Sequence, residues 1–176
     1  MTGAPQARTV GFQPGERNVF FHLLTACNLR CRHCYINPAE HGTATLPLAT
    51  VQRWLKLFAR PERETTLILL GGEPTLHPDL AAIIRTAKSL RYAVTVDSNG
   101  YLFHDLLDRV PSQELAYLCL SLHGPVPAAN DPIRLPAVFA VCTANISRAV
   151  AAGFNLSCLY PVSGLNIDHL HRLPAL

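Results

Sequence analysis

The sequence predicts an α/β protein: a partial (β/α) barrel of about five parallel strands, with helices on the outer face. Three observations lead there. Strand-like and helix-like segments alternate along almost the whole chain, and the connections between strands are long enough to hold a helix. Unusual residues also recur at the carboxyl end of one strand after another. Such alternation gives βαβ units and a parallel sheet, and crossovers of this kind are right-handed. A chain of 176 residues suits one domain, and 49% hydrophobic with 15% charged residues supplies a core without a signature of disorder. We divide it into an N-terminal extension, 1–17, and a single domain, 18–176.

The elements follow in order. NVFFHLL (18–24) is apolar and aromatic, a first strand. Over 47–60, Leu48, Val51, Leu55 and Phe58 recur at helical spacing behind Pro47, a residue suited to a first helical position. TTLILL (65–70) is a second strand bounded by GGEP. Over 78–90, Leu80, Ile83, Ile84 and Ala87 share one helical face. YAVTVDS (92–98) is a third strand ending at Asn99–Gly100, and 104–110 is a short helix. A fourth strand spans 115–122, a helix spans 136–153 with Gly153 as its stop, a fifth strand spans 154–161, and 166–173 starts another helix.

Composition excludes several classes of function. The net charge is +3 and the basic residues are scattered, which makes no case for nucleic acid or an anionic membrane. No apolar run is long enough to span a bilayer, and the N-terminus lacks the apolar core of a secretory signal. A reducing, cytoplasmic location is the expectation, and there clustered cysteines read as metal ligands or catalytic groups rather than disulfides.

The cysteines are indeed clustered. Cys27, Cys31 and Cys34 lie in TACNLRCRHCYINP with CxxxCxxC spacing, directly after the first strand. Ligands in α/β sheets and barrels bind beyond the carboxyl ends of the strands. At those ends lie the cysteine loop, then GGEP, then DSNG, then SLHG. Three thiolates so spaced fit an iron–sulfur cluster that keeps one iron open. They also fit a zinc ion completed by His33 or a distant residue.

This combination resembles the radical S-adenosylmethionine (radical SAM) superfamily. CNLRCRHCY is similar to the family's cluster loop, GGEP follows the second strand as it does there, and SNG, SLHG and LNIDHL fall where the family has similar segments. The resemblance implies a truncated radical SAM barrel with a [4Fe–4S] cluster on Cys27, Cys31 and Cys34. The open iron would hold S-adenosylmethionine, and one electron would cleave it to methionine and a 5′-deoxyadenosyl radical that abstracts hydrogen from a substrate. It further implies an enzyme that needs a reducing electron donor and acts on a small molecule or a peptide, in the style of members that modify peptides or mature cofactors. Two other outcomes stand beside it: a zinc-stabilised α/β binding protein without redox activity, and an inactive truncated fragment.

The resemblance also suggests roles for single residues. Gly71 and Gly72 would let the backbone approach the methionyl end of the cofactor. Glu73, followed by Pro74, would accept from its amino group, directly or through backbone geometry. His33 stands where an aromatic residue often packs on adenine, with Tyr35 beside it; an exposed loop histidine is the other reading. On the fourth strand Tyr117, Cys119, Ser121 and His123 share one face and Leu118, Leu120 and Leu122 the other. The leucines would pack on helices, turning Ser121 toward the ribose; His123 stands where aspartate is common, and its role is open. On the third strand Thr95, Asp97 and Asn99 oppose Val94, Val96 and Ser98, with Ser98 and Asn99 both near the cofactor. Cys119, Cys142 and Cys158 show no metal spacing and read as core residues. Arg30 and Arg32 would add positive charge beside the cluster. Family members of this type usually carry six βα units, so a shorter or partner-completed barrel is expected here.

Overall fold

The computed structural model describes residues 15–175. Five strands form one parallel sheet in sequential order: β1 (Arg17–His22), β2 (Thr65–Leu70), β3 (Tyr92–Ser98), β4 (Tyr117–Ser121) and β5 (Leu156–Leu159). Order decides the architecture. Each right-handed crossover moves one strand further in the same direction, so every helix lands on the same side. A doubly wound sheet would reverse direction and carry helices on both sides. Fold class and strand count are as the sequence predicts. The expected extension falls almost wholly outside the described residues, and Arg17 already opens β1.

The covered face follows from period two. Leu67, Leu69, Val94, Val96, Leu118 and Leu120 are fully buried beneath the helices, as the strand-four leucines predict. Helix α1 (Leu48–Phe58) sets Val51 and Leu55 on that face, and α2 (Leu80–Ser89) sets Leu80, Ile83, Ile84 and Ala87 there. Both helices begin a residue or two after the prolines expected to open them; Pro47 caps α1 rather than starting it. Helix α3 (Leu106–Arg109) is only one turn, because His104 and Asp105 adopt left-handed φ of 43° and 63°.

The sequence reading misses one helix. Prolines 125, 127, 132 and 136 make 123–135 look like a loop, yet α4 spans Pro127–Arg134. Pro127 occupies the first turn, where its missing N–H costs nothing. Helix α5 (Val138–Ala151) then covers the sheet and stops before Gly153, whose φ is +80°. The final segment, Ile167–Ala175, is a 3₁₀ helix rather than the expected α-helix. Among the described residues no single helix is long and apolar enough to cross a membrane.

Among the described residues the opposite, concave face carries no helices. Phe20 is 53% exposed there and Leu159 38%, with Leu70, Asp97 and Ser121 half-buried between them. Parallel sheets are normally covered on both faces, so this surface is where the site must be sought. The covered face sets the stability. Leu118→Ala, in the most enclosed part of the sheet, is expected to lower the unfolding free energy by about 2–5 kcal/mol in urea denaturation.

Candidate active site

The site starts where β1 and β2 stop. Beyond His22 the chain keeps pairing with the end of β2: Leu23 N donates to Leu70 O, Gly72 N to Leu24 O, and Glu73 N to Ala26 O, all within 2.8–2.9 Å. That pairing delivers Cys27 to the rim. It also explains the two glycines. A Cβ on Gly72 would stand 2.1 Å from Ala26 O, and one on Gly71 (φ +149°) would stand 2.6 Å from Leu24 O. The glycines admit the chain's own backbone. Both glycines also line the cavity, so the same absence of a side chain serves the fold and leaves the rim open.

Glu73 is likewise turned inward. Its side chain is fully buried, with Oε1 accepting from Thr75 N (3.0 Å), Thr75 Oγ1 (2.7 Å) and Ser98 Oγ (2.9 Å), and Oε2 accepting from Asn99 N (2.7 Å). Burial pushes its carboxyl above the usual range, opposed by these bonds. Of the two routes expected for Glu73, direct acceptance from a ligand is not the one this geometry offers. The carboxylate caps the turn Pro74–Leu76 and fastens the end of β3 to the end of β2. Neither Glu73 nor Pro74 lines the cavity.

Asn99 passes the arrangement on. Its Nδ2 donates to Asn28 Oδ1 (2.7 Å) and lies 3.7 Å from Cys27 Sγ, while its Oδ1 accepts from Tyr101 N (2.9 Å). From the other side, the Arg134 guanidinium at the end of α4 donates to the carbonyls of Asn99 and Ser121 and reaches Cys142 Sγ at 3.5 Å. Arg134 is 1% exposed, and its Nε has no acceptor. Sequence reasoning missed it: an isolated arginine in a proline-rich stretch gives no signal. Arg32 N donates to Ile133 O (2.9 Å), which ties the cysteine loop to the same helix.

These ties surround a cavity of about 470 Å³. Cys27, Cys31 and Cys34 line it with Gly71 and Gly72, and so do Ser98, Asn99, Ser121, His123, His33 and Tyr35. The structure therefore brings every expected cluster or cofactor residue except Glu73 and Pro74 to one cavity, with Asp97 from the strand-three face named above, leaves Arg30 and Arg32 outside it, and adds Arg134. Burial pushes the Cys27 and Cys31 thiols up, and Arg134 opposes the shift at Cys31. The thiols do not converge on a point: among the described residues no three His, Cys, Asp or Glu side chains are gathered closely enough to hold one metal ion. A mononuclear zinc site needs that convergence. A cubane does not, since each thiolate binds a different iron. With room between the thiols and an orphaned guanidinium N–H beside them, the residues fit a cluster with a bound anion. A broader hollow of about 640 Å³ lies outside α4 by Arg30 and Arg32 and contains none of the three cysteines.

The histidines behave differently from an exposed loop residue. The His33 ring stands edge-on to His123, with centroids 4.5 Å apart. His123 N donates to Asn130 Oδ1 (2.9 Å), and burial, then Arg134 and His33, push its ring from 6.5 down to about 3. Tyr35 is 73% exposed at the mouth, against His22.

Two outcomes are expected from this geometry. Gly72→Ala must separate the β1 and β2 extensions, so it should cost about 3 kcal/mol or more in thermal unfolding and reduce the visible absorbance of reconstituted cluster. Below about pH 6.5 the unfolded chain protonates His123, whereas the folded chain refuses that proton until about pH 3. The ring therefore destabilises the fold progressively as pH falls through this window and has no effect above it. Glu73 and Asp97 shift upward and act in the opposite sense, so a difference between variants isolates the ring. His123→Gln should gain ~2 kcal/mol over wild type between about pH 7 and about pH 5 in urea titrations.

Comparison with known proteins agrees with this geometry. The family profile described as the Radical SAM superfamily matches residues 22–173. Pre-heme d1 synthase of Dinoroseobacter shibae is 28% identical over 158 residues, covering 88% of this chain and 39% of that protein. Human molybdenum cofactor biosynthesis protein 1 is 30% identical over 162 residues, covering 88% and 25%. The chain thus spans between a quarter and two-fifths of these relatives' lengths. Among solved structures, anSMEcpe with bound AdoMet superposes with a TM-score of 0.73 at 14% identity, covering 89% of this chain and 47% of that one. SuiB of Streptococcus suis superposes at 0.72 with 15% identity, covering 90% and 36%. Members of the matched family use a [4Fe–4S] cluster and S-adenosylmethionine, and with that profile running from His22 to Leu173 the chain belongs to the radical SAM superfamily.

Proposed function

We propose that this chain carries out reductive cleavage of S-adenosylmethionine and directs the resulting radical at a substrate held against the concave face. The observation that supports this most is the convergence of the three CxxxCxxC thiols, Gly71–Gly72 and Ser98–Asn99 on one cavity. Cys27, Cys31 and Cys34 would hold the cluster, which, when bound, supplies the electron that releases methionine and a 5′-deoxyadenosyl radical. The protein's own tasks are to position, tune and exclude water.

Those tasks fall to identifiable groups. Asn99 and Leu29, through their N–H donors, face the sulfur of Cys27 and would hold its thiolate in place. Such outer contacts orient ligands and tune the metal. Arg134 is the better-placed cation for a ligand carboxylate than Arg30 or Arg32, because it is buried beside Cys31 with Nε unused. Ser121 and Ser98 offer hydroxyls on the same rim, and His33 and Tyr35 offer ring faces. A reductant must deliver the electron, and a cytoplasmic, low-potential donor suits that need.

The substrate is a peptide or a small molecule. Relatives are named for small-molecule assembly, as with GTP 3′,8-cyclase of Microcystis aeruginosa. Structural neighbours include anSMEcpe with the Kp18Cys peptide and SuiB with the precursor peptide SuiA.

The test is anaerobic reconstitution with iron and sulfide, reduction, and assay of 5′-deoxyadenosine. Wild type is expected to form it from S-adenosylmethionine alone, and Cys31→Ala to fall to background. A colourless protein holding tightly bound zinc would overturn the reading.

A further inference from the structure

We infer that Asp97 anchors a protonated amine on the substrate, so that the concave face selects ammonium-bearing molecules with an apolar stem. The inference rests on the function proposed for this cavity and adds the chemistry of what it accepts.

Asp97 lies on the cavity wall, on the inward face of β3. Cys119 pairs with it in register on β4, and Ser157 pairs with Cys119 on β5. The three form a row. Across this row the Cys119 thiol opposes the effect of burial on the Asp97 carboxyl, and Ser157 opposes it on the Cys119 thiol. With its thiol pushed up to about 12, Cys119 stays a neutral donor. Asp97 ends the row on the wall of the cavity.

No cationic side chain among the described residues pairs with that charge. Among the described residues the ion pairs are Arg85–Glu114 and Arg109–Asp105, and neither involves Asp97. The contrast with Glu73 is informative: four donors, two of them backbone N–H, saturate Glu73, whereas at Asp97 only the neutral Cys119 thiol opposes burial. A half-buried carboxylate so placed is costly unless a cation arrives. Burial pushes its carboxyl above the usual range, which an incoming ammonium would offset. A neutral hydroxyl or amide would leave the charge unbalanced. The cavity wall nearby is apolar, formed by Phe20, Leu70 and Leu159, which suits an alkyl stem rather than a sugar.

Binding measures this directly, without relying on turnover. The reconstituted chain is titrated by calorimetry with two matched pairs: Nα-acetyl-lysinamide against Nα-acetyl-norleucinamide, and a short lysine peptide against its norleucine counterpart. Wild type is expected to favour the amine by about tenfold or more in at least one pair. A preference in the first pair identifies a small amine as sufficient; a preference in the second alone places the amine on a peptide. Asp97→Asn should abolish the preference and Asp97→Glu retain it, with circular dichroism confirming both folds. Equal affinities in both pairs for the wild type, or a preference that survives Asp97→Asn, overturns the inference. Because 5′-deoxyadenosine formation is assayed separately, its failure would remove the proposed function while leaving the amine preference measurable.

Discussion

A buried carboxylate that makes no ion pair among the described residues organises this site. Glu73 accepts four hydrogen bonds, and through them the ends of β2 and β3 become one rigid piece. The decisive partner is the Asn99 peptide. Its N–H is held by Glu73 and its carbonyl by Arg134, so the two peptide units flanking its Cα lie between a fixed acceptor and a fixed donor. Its side chain then reaches Asn28 and Cys27. Three sequence-distant segments, GGEP, SNG and the cysteine loop, are therefore set by one residue's backbone. A half-satisfied network of this kind would be worse than an apolar core; this one is nearly complete, with Arg134 Nε its orphan.

The sheet's topology makes such convergence possible. Sequential strand order leaves one face bare, and parallel strands bring all their carboxyl ends to the same rim. Helices supply the stability from the far side, and loops supply the chemistry from the rim. The two demands scarcely share residues: Leu118 and Leu120 serve the core while Ser121, one step on, serves the cavity.

Much of this was legible in the sequence because it rests on period and spacing. The five strands, their covered leucine faces and the gathering of cysteines, glycines, Ser98, Asn99, Ser121 and His123 on one rim all follow from alternation and motif position. What escaped was tertiary. Helix α4 was hidden by prolines that context tolerates, and with it Arg134, whose importance comes only from where α4 ends. That Gly71 and Gly72 also make room for the chain's own backbone, and that Glu73 is turned into the scaffold, shows only in the folded chain. A motif shows which residues a site needs; it does not show whether each one faces the ligand or the scaffold.

That distinction bears on how charge is arranged around the thiols. Burial pushes both thiols up; Glu73 adds to the shift at Cys27, while Arg134 opposes it at Cys31. The two cysteines thus stand at opposite ends of a field whose sources are both buried and fixed by hydrogen bonds. Buried sources are little screened by salt, so the asymmetry persists in solution. A ligand carboxylate gains at the Arg134 end, beside Cys31 and the His33–His123 pair. A cation gains further down the concave face, at Asp97. The cavity is therefore polarised along its length before anything binds, and a molecule with one anionic and one cationic end, or two molecules of opposite charge, would be oriented by it without any movement of the sheet.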